Sequence, residues 1–486
     1  YRLPIIMINE IANIDINTLK IPTLENLITT KKQKLADNTD GGHRLLDTAK
    51  TRRNLSPFVN KTTGIIDNIQ LTLIDNDIFM YSARRVVGAA TVNRNNNSET
   101  ARSTGYPISA AGKGKTTTQS QVSCIAEAIE RYSANFPVFQ PIEIRATGEE
   151  LGTLAINPNE ILNFSSKQYQ SRDEINGKTK ALIHRIPKQF EDNKPTNWTP
   201  IINIIDPDSS KLIPTAMLGF NYTHNLQPGT AMSCSNGLAS GNSKAEAMVQ
   251  ALYEIIERDA CAIWWYNKLK LKNCKIPDNI NSYTAKIESK LNSMGRTLEI
   301  LELPTDFDVT VTSCISYTNE GKQICVGLGS HSDNSVSISR AITEMYQMLV
   351  GIKRYESVKE NTGIGNGGID KLVSDWLKTE KIDDHTYLTG SRTVSSDKPI
   401  PRDGFKYIEE ELEFILNQFK HKGFNVYGIN MTANTVGFPV VKMIVPGMRH
   451  FWPRLGEGRL YQIPVELGYL SGVKAEEDLN TMGFFF

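Results

Sequence analysis

Three observations predict an α+β fold. Stretches with strand-like alternation are interspersed with stretches of helical apolar spacing. The two kinds do not alternate strictly, so a doubly wound βαβ sheet is not expected. A Gly-rich turn leading into an amphipathic helix occurs twice. Mixed sheets with flanking helices are therefore expected. In chain order, residues 1–55 stand apart: Leu3–Ile8 is a short apolar run, and Lys31–Arg53 is polar and charged around the turn Asp40-Gly41-Gly42. From Gly64 onward, Ile69–Ile74 and Ile78–Tyr81 read as strands, and so do Leu182–Ile186, Ile201–Ile205, Leu298–Leu303, Val309–Ile315, Gln323–Gly327 and Val440–Val445. Helices are expected over 117–135, 243–266, 283–294, 336–352 and 407–422. Asn93–Asn97, Asn361–Gly368 and Ser391–Gly404 read as loops.

The chain has 486 residues, with 54 Lys plus Arg against 53 Asp plus Glu. That balance lacks the basic footprint of a general nucleic-acid binder. No apolar run reaches membrane-spanning length and no signal-peptide pattern is present. The six cysteines form no C-x-x-C pair and most lie in apolar runs, which argues against a zinc site and for a reducing, cytoplasmic setting. The chain starts at Tyr1, which weakens any inference about targeting at its N-terminus.

The repeat carries the chemistry. Its first copy is Gly112-Lys113-Gly114-Lys115-Thr116 and a helix reaching Glu127, Glu130 and Arg131. Its second is Ser235-Asn236-Gly237 through Gly241-Asn242 and a helix reaching Glu254, Glu257 and Arg258. Carboxylates three residues apart are neighbours on a helix surface and repel each other unless a cation intervenes. Arg131 and Arg258 are candidates for that cation. Divalent metals shared with a polyphosphate are another. One copy alone reads as a solvated face with a local ion pair; duplication behind Gly-rich turns, which suit phosphate at helix N-termini, favours a site. Gly114-Lys115-Thr116 resembles the end of a P-loop, but position 109 is Ser where that motif needs Gly, so a P-loop is rejected. Glu246 has spacing for a capping box with Ser243 and equally for a ligand role. Arg340, near the start of a further helix, reads as a surface arginine or a phosphate contact. Trp264, Trp265 and Tyr266 read as core.

These segments together resemble the YcaO family, and most closely its azoline-forming cyclodehydratase branch. The resemblance covers roughly Ser56 to Phe486. It rests on Ala111–Gly114, the Ser123–Arg131 segment SCIAEAIER, the Ser235–Asn242 segment SNGLASGN, ALYEIIERDA at Ala251–Ala260, SRAITEMYQ at Ser339–Gln347 and VPGMRHFWPRLGEGRLYQIP at Val445–Pro464. Asp40–Arg44 resembles the lead-in of that branch. The resemblance implies a YcaO fold around a central ATP site. It also implies an ATP- and Mg²⁺-dependent enzyme that turns Cys, Ser or Thr of a ribosomally made precursor peptide into thiazoline or oxazoline by phosphorylating the backbone amide oxygen. It maps Mg²⁺ to Glu127, Glu130, Glu254 and Glu257, and ATP contacts to Lys113, Ser123, Asn242, Glu246, Arg258 and Arg340. A general base is linked in the family to a C-terminal tail, often Pro-x-Pro-x-Pro; here the tail ends in Phe484-Phe485-Phe486 without proline, leaving the Phe486 carboxylate as the candidate. Asn430-Met431-Thr432 departs from the branch, where Asp often precedes the Leu-Thr. The resemblance also implies a leader-peptide-binding partner, as a separate subunit or a missing fused domain, because residues 1–55 are too short for one. The expected organisation is an N-terminal extension, 1–55, and one catalytic domain, 56–486, with no nucleic acid or membrane partner and a homodimer as one open quaternary state. Thioamide or amidine formation, and a non-catalytic nucleotide-binding scaffold, are the alternative activities.

Overall fold

The computed structural model describes Leu27 and residues 31–37, 39, 41–62, 64–75, 77–86, 110–136, 138–179, 182–362, 371–394 and 404–485. The expected run Leu3–Ile8, the loop Asn93–Asn97, most of Asn361–Gly368 and Phe486 lie outside them.

Three sheets form the framework. Strands β1 (Ile66–Asp75), β2 (Ile78–Val86) and β3 (Ala111–Gly114) make an antiparallel sheet in that order. β1 and β2 are a hairpin pairing Ile66 with Val86 and Asp75 with Ile78, with an irregularity between Leu71 and Leu73. The second sheet is built on β4 (Ile144–Ala146), β5 (Thr196–Asn203), β6 (Lys211–Pro214), β7 (Leu238–Ser240), β13 (Tyr427–Asn430) and β14 (Val440–Ile444), in the order β4-β5-β13-β14-β7 with β6 on β5. The third runs β11-β10-β9-β8-β12, from β8 (Lys272–Asn273), β9 (Arg296–Glu302), β10 (Thr310–Thr318), β11 (Cys325–His331) and β12 (Ser391–Val394). β10, between β11 and β9, is buried over its first seven residues, as a strand covered on both faces must be. The α+β expectation holds.

The helix Lys244–Asn267 ties the sheets together. It packs on β7 and β14 on one side, β10 and β11 on another, and the helices Ile408–His421 and Arg459–Glu466. Of its 24 residues 19 are buried, and the other five are Lys244, Gln250, Glu254, Glu257 and Arg258. A helix apolar almost all round is an interior helix; here the polar exceptions include both repeated carboxylates. Trp264, Trp265 and Tyr266 are core, as expected, and each polar tip donates to a carbonyl: Trp264 to Tyr387 at 3.1 Å, Trp265 to Met482 at 2.6 Å and Tyr266 to Phe451 at 2.8 Å. One turn earlier, Asp259 is buried but accepts from Arg459 and from the Arg449 amide at 2.9 Å, so a charge in the core is paired and hydrogen-bonded. That pairing fastens the late stretch 445–464 to the central helix.

The helix Thr117–Ser133 packs on the first sheet. Thr116 caps it by accepting from the Gln119 amide at 3.2 Å. Gly112 permits the close approach: a Cβ there would lie 2.0 Å from the Ser120 carbonyl oxygen and 2.1 Å from the Cys124 nitrogen. The free cysteines are buried except Cys234, which is half-buried.

Several sequence expectations are corrected. Leu182–Ile186 is not a strand but begins with a single 3₁₀ turn, Leu182–His184, and no strand among the described residues pairs with it. The strand expected from Gln323 starts at Cys325 and runs to His331; Gln323 itself has φ +51°, outside strand geometry. The helix expected at 336–352 extends from Asn334 to Thr362, and so consumes the first two residues of the loop expected from Asn361. Ser391–Val394, expected as loop, pairs with β8 in parallel as an edge strand.

Replacing Gly112 by Ala is expected to lower the free energy of unfolding by about 1–3 kcal/mol, because backbone must move to admit the methyl group. Gly351→Ala, mid-helix with open space around it, is expected to be neutral or stabilising by up to about 1 kcal/mol. Urea unfolding of both variants checks the pair; equal midpoints would refute the close-packing account.

Candidate active site

The two repeat helices and the long helix Asn334–Thr362 converge on one cavity of about 340 Å³. Lys113, Ser123, Glu127, Glu130, Asn242, Glu246, Glu257 and Arg340 all line it. Glu254 and Arg258 do not; they stand behind the wall, paired with each other. Phe486 lies outside the described residues.

The carboxylates are a coupled set. Glu127 accepts from the Ala111 amide at 3.3 Å and sits 3.4 Å from Arg131. Glu254 accepts from the Gly237 amide at 3.0 Å. Gly237 is needed there: its φ is +73°, and a Cβ would lie 2.1 Å from the Met443 carbonyl oxygen. Burial pushes Glu130 well above the usual carboxylate range, and the Glu127 and Glu254 charges add to the effect against an opposing pull from Arg131. Burial likewise raises Glu257 to about 8, with further contributions from Glu344 and Glu254. Glu344 was not anticipated. It comes from the third helix, lines the cavity and holds Lys113 Nζ at 2.8 Å. The available signal was its place four residues after Arg340, on the same helix face.

The other wall is built by polar anchors. Ser243 caps the central helix, accepting from the Glu246 amide at 3.1 Å, but the Glu246 carboxylate does not close the expected capping box. It turns instead to the Asn242 side chain at 3.1 Å and the Leu45 amide at 3.0 Å. Asn242 in turn accepts from Thr51 at 3.2 Å. Arg340 is no surface residue: it donates to the carbonyls of Ser330 and Gly41, each at 3.1 Å, and to Gln250 at 2.6 Å. Burial and Arg44 lower its pKa to about 10, so it is still a cation near neutrality. Gly41, Arg44, Leu46, Thr48 and Thr51 also line the cavity. The segment 41–51 is thus a strap across the site.

His43 anchors that strap. Its Nδ1 lies 3.0 Å from Glu411, a fully buried carboxylate that also accepts from Tyr253 at 2.5 Å and Ser332 at 3.1 Å. His331 is close enough to make a three-residue cluster, but the cluster is unsuited to a metal. His331 Nδ1 accepts from the Asp333 amide at 2.9 Å, so the ring proton is on Nε2, the atom that faces Glu411. Burial opposes charge on His43, yet the hydrogen bond and charge of Glu411 outweigh it and raise the pKa above the ordinary 6.5.

An α+β framework that brings carboxylates from three helices and buried cations to one cavity belongs to the class of metal-assisted nucleotide-binding proteins. The chain belongs to the YcaO family: residues 111–449 match the YcaO cyclodehydratase model, which is described as binding ATP and Mg²⁺. Among solved structures it is similar to a heterocyclase in complex with substrate and cofactor, at 30% identity and a TM-score of 0.82, covering 94% of this chain and 60% of that one. It is also similar to the heterocyclase TruD, at 31% identity and a TM-score of 0.66, covering 76% of this chain and 50% of that one. The chain therefore spans between half and three fifths of the length of these heterocyclases. An uncharacterized protein of Methanothermobacter thermautotrophicus is 23% identical over 352 residues, covering 70% of this chain and 82% of that protein.

Because the His43 pKa is raised on folding, its pairing with Glu411 stabilises fully below pH 6.5 and is lost as pH rises through the raised value. The stability difference between wild type and His43→Ala, expected at about 1–2 kcal/mol at pH 5.5, should shrink steadily toward pH 9. Chemical denaturation across that range checks it, and a difference that grows with pH would overturn the anchor.

Proposed function

We propose that this protein is an ATP-dependent cyclodehydratase that converts Cys, Ser or Thr of a ribosomally made precursor peptide to thiazoline or oxazoline. The observation that carries the reading is the content of the cavity. Carboxylates and cations crowd it, while no histidine or cysteine lines it among the described residues. An enzyme whose substrate supplies its own nucleophile needs no Ser/His or Cys/His pair. It needs positioning and charge stabilisation around a transferred phosphoryl group.

The donor set suits the cofactors. Oxygen ligands from several carboxylates fit a hard divalent cation, and burial with mutual repulsion leaves Glu130 and Glu257 in want of a positive partner. Glu127, Glu130 and Glu257, which line the cavity, would hold Mg²⁺, with Glu254 joining them from behind the wall by exchanging its Arg258 pairing for the metal. Lys113, Ser123, Asn242, Glu246 and Arg340, which line the cavity, would hold the nucleotide, and Arg258, behind the wall, would act through its pair with Glu254. When bound, ATP supplies the phosphoryl group that makes an amide oxygen a competent leaving group, and Mg²⁺ neutralises charge on it. The chain's own part is to hold these groups without reorganisation: Gly237 and Ala111 amides fix two carboxylates, and Ser330 and Gly41 carbonyls fix Arg340.

The heterocyclase likeness favours azolines over thioamide or amidine products. Residues 56–486 would be the catalytic domain. The strap makes residues 41–51 part of its site rather than a free extension, so a leader-binding partner, fused or separate, would be joined to the catalytic centre through this segment. The peptide's recognition through that partner, a cytoplasmic location and a base role for the Phe486 carboxylate complete the proposal. The experiment is incubation with ATP, Mg²⁺, partner and precursor. Peptide mass is expected to fall by one water per ring, whereas a gain from oxygen-to-sulfur exchange would replace the azoline reading with thioamide formation. Glu127→Ala and Glu254→Ala are each expected to lower ATP turnover by at least about 10²-fold; unchanged turnover would remove these residues from the metal site.

A further inference from the structure

Behind the carboxylate wall lies a second, smaller cavity of about 40 Å³, lined by Cys234, Asn236, Lys442, Arg454 and apolar side chains such as Ile255 and Met448. It shares no lining residue with the larger cavity. Arg454 is 3% exposed, and its Nε and Nη2 are buried with no hydrogen-bond partner. Its guanidinium lies over the rings of Phe164 and Trp452 at 5.5 and 5.6 Å, and it forms no ion pair among the described residues. Lys442 is 4% exposed; its ammonium donates to the Cys234 carbonyl at 2.6 Å and likewise has no carboxylate in ion-pair reach. Two buried cations without a counter-ion are costly.

A second, independent feature points the same way. Arg258 Nη1 faces His450 Nε2 at 3.3 Å, while His450 Nδ1 accepts from the Trp452 amide at 3.1 Å. If Nδ1 accepts, Nε2 carries the proton, and two donors then face each other. Arg258 Nε is also buried without a partner. Burial and the nearby charges of Arg454, Arg258 and Lys442 hold His450 well below its ordinary pKa, so the imidazole adds no charge. Glu254, already bonded to Gly237 and Arg258, is no ion-pair partner of Arg454 or Lys442, and the one unpartnered acceptor lining the cavity among the described residues, Asn236 Oδ1, is neutral.

We propose that Arg454 and Lys442, with Arg258 at its edge, form a binding site for a small tetrahedral oxyanion, inorganic phosphate, on the far side of Glu254 from the nucleotide cavity. The cavity is small, with room for about three water-sized groups, so a four-oxygen anion fits once the lining side chains shift slightly. Multiple cationic donors suit it too, since phosphate accepts several charge-assisted hydrogen bonds at once. The apolar lining excludes larger polar ligands. The source of phosphate rests on the reaction proposed above, which releases one phosphate per ring; the preference for an oxyanion rests on the geometry alone.

The test needs neither peptide nor ATP. Thermal unfolding of the full chain is followed against inorganic phosphate, with sodium acetate and chloride at matched ionic strength. Phosphate is expected to raise the midpoint saturably, and Arg454→Met or Lys442→Met to weaken its apparent affinity by more than about tenfold. Arg340→Met, in the nucleotide cavity, should keep the response. Without phosphate, Arg454→Met should unfold at or above the wild-type temperature, because an unpaired buried cation has been removed. Loss of the response in Arg340→Met but not in Arg454→Met would place phosphate in the nucleotide cavity and overturn the proposal. An equal response to acetate would make the site one for a carboxylate. A large drop in the midpoint of phosphate-free Arg454→Met would show that the cation is already satisfied. A saturable phosphate response together with no mass loss in the separate peptide assay would sink the cyclodehydratase reading and leave this site standing.

Discussion

Like-charge repulsion is the constraint on which the rest of this structure depends. Glu127 and Glu130 come from one helix, Glu254 and Glu257 from another and Glu344 from a third, and their charges act on one another. Unfolded, these carboxylates would move apart into water. Folded, they are held together because the helices carrying them are committed elsewhere by apolar packing. The central helix buries 19 of its 24 residues, and full burial of one large apolar side chain contributes about 1.5–3 kcal/mol. Packing on that scale outweighs the repulsion and stores it as an appetite for cations.

The charge is sorted across a thin wall. In the larger cavity carboxylates outnumber cations narrowly, five against Arg44, Lys113, Lys115 and Arg340. Behind Glu254 the sign reverses, with Arg258, Lys442 and Arg454 crowded around His450. The overall charge of +1 hides this separation entirely. Such an arrangement sets a field across the site in a fixed direction, which is how a protein stabilises developing negative charge without reorganising. The strap from Gly41 to Thr51 closes one side, and its anchors are polar on every face: Glu246, Asn242, Arg340 and Glu411.

Much of this was legible in the sequence because it is local. The apolar spacing of both repeat helices and the paired Glu-x-x-Glu segments are dictated by helix geometry. What failed were features decided by partners far along the chain. Leu182–Ile186 has strand composition, but no strand among the described residues pairs with it. Ser391–Val394 has loop composition but a free edge, β8, to pair with. Glu246 has capping-box spacing, yet Leu45, some 200 residues away, offers its amide to the carboxylate. Arg340 looked like a surface cation until the strap and Gln250 enclosed it.

The sequence by itself determined the α+β class, the two carboxylate-bearing helices and the membership of the family, since each depends on short-range periodicity or on motif identity. Tertiary structure alone decided that the two copies face one cavity, that Glu344 joins them, that the segment 41–51 belongs to the site, and that Arg454 is buried with no counter-ion among the described residues. The physical reason is the range of the interactions. Helix geometry acts over four residues, whereas desolvation and charge pairing depend on which distant segments the packed core brings within a few ångströms.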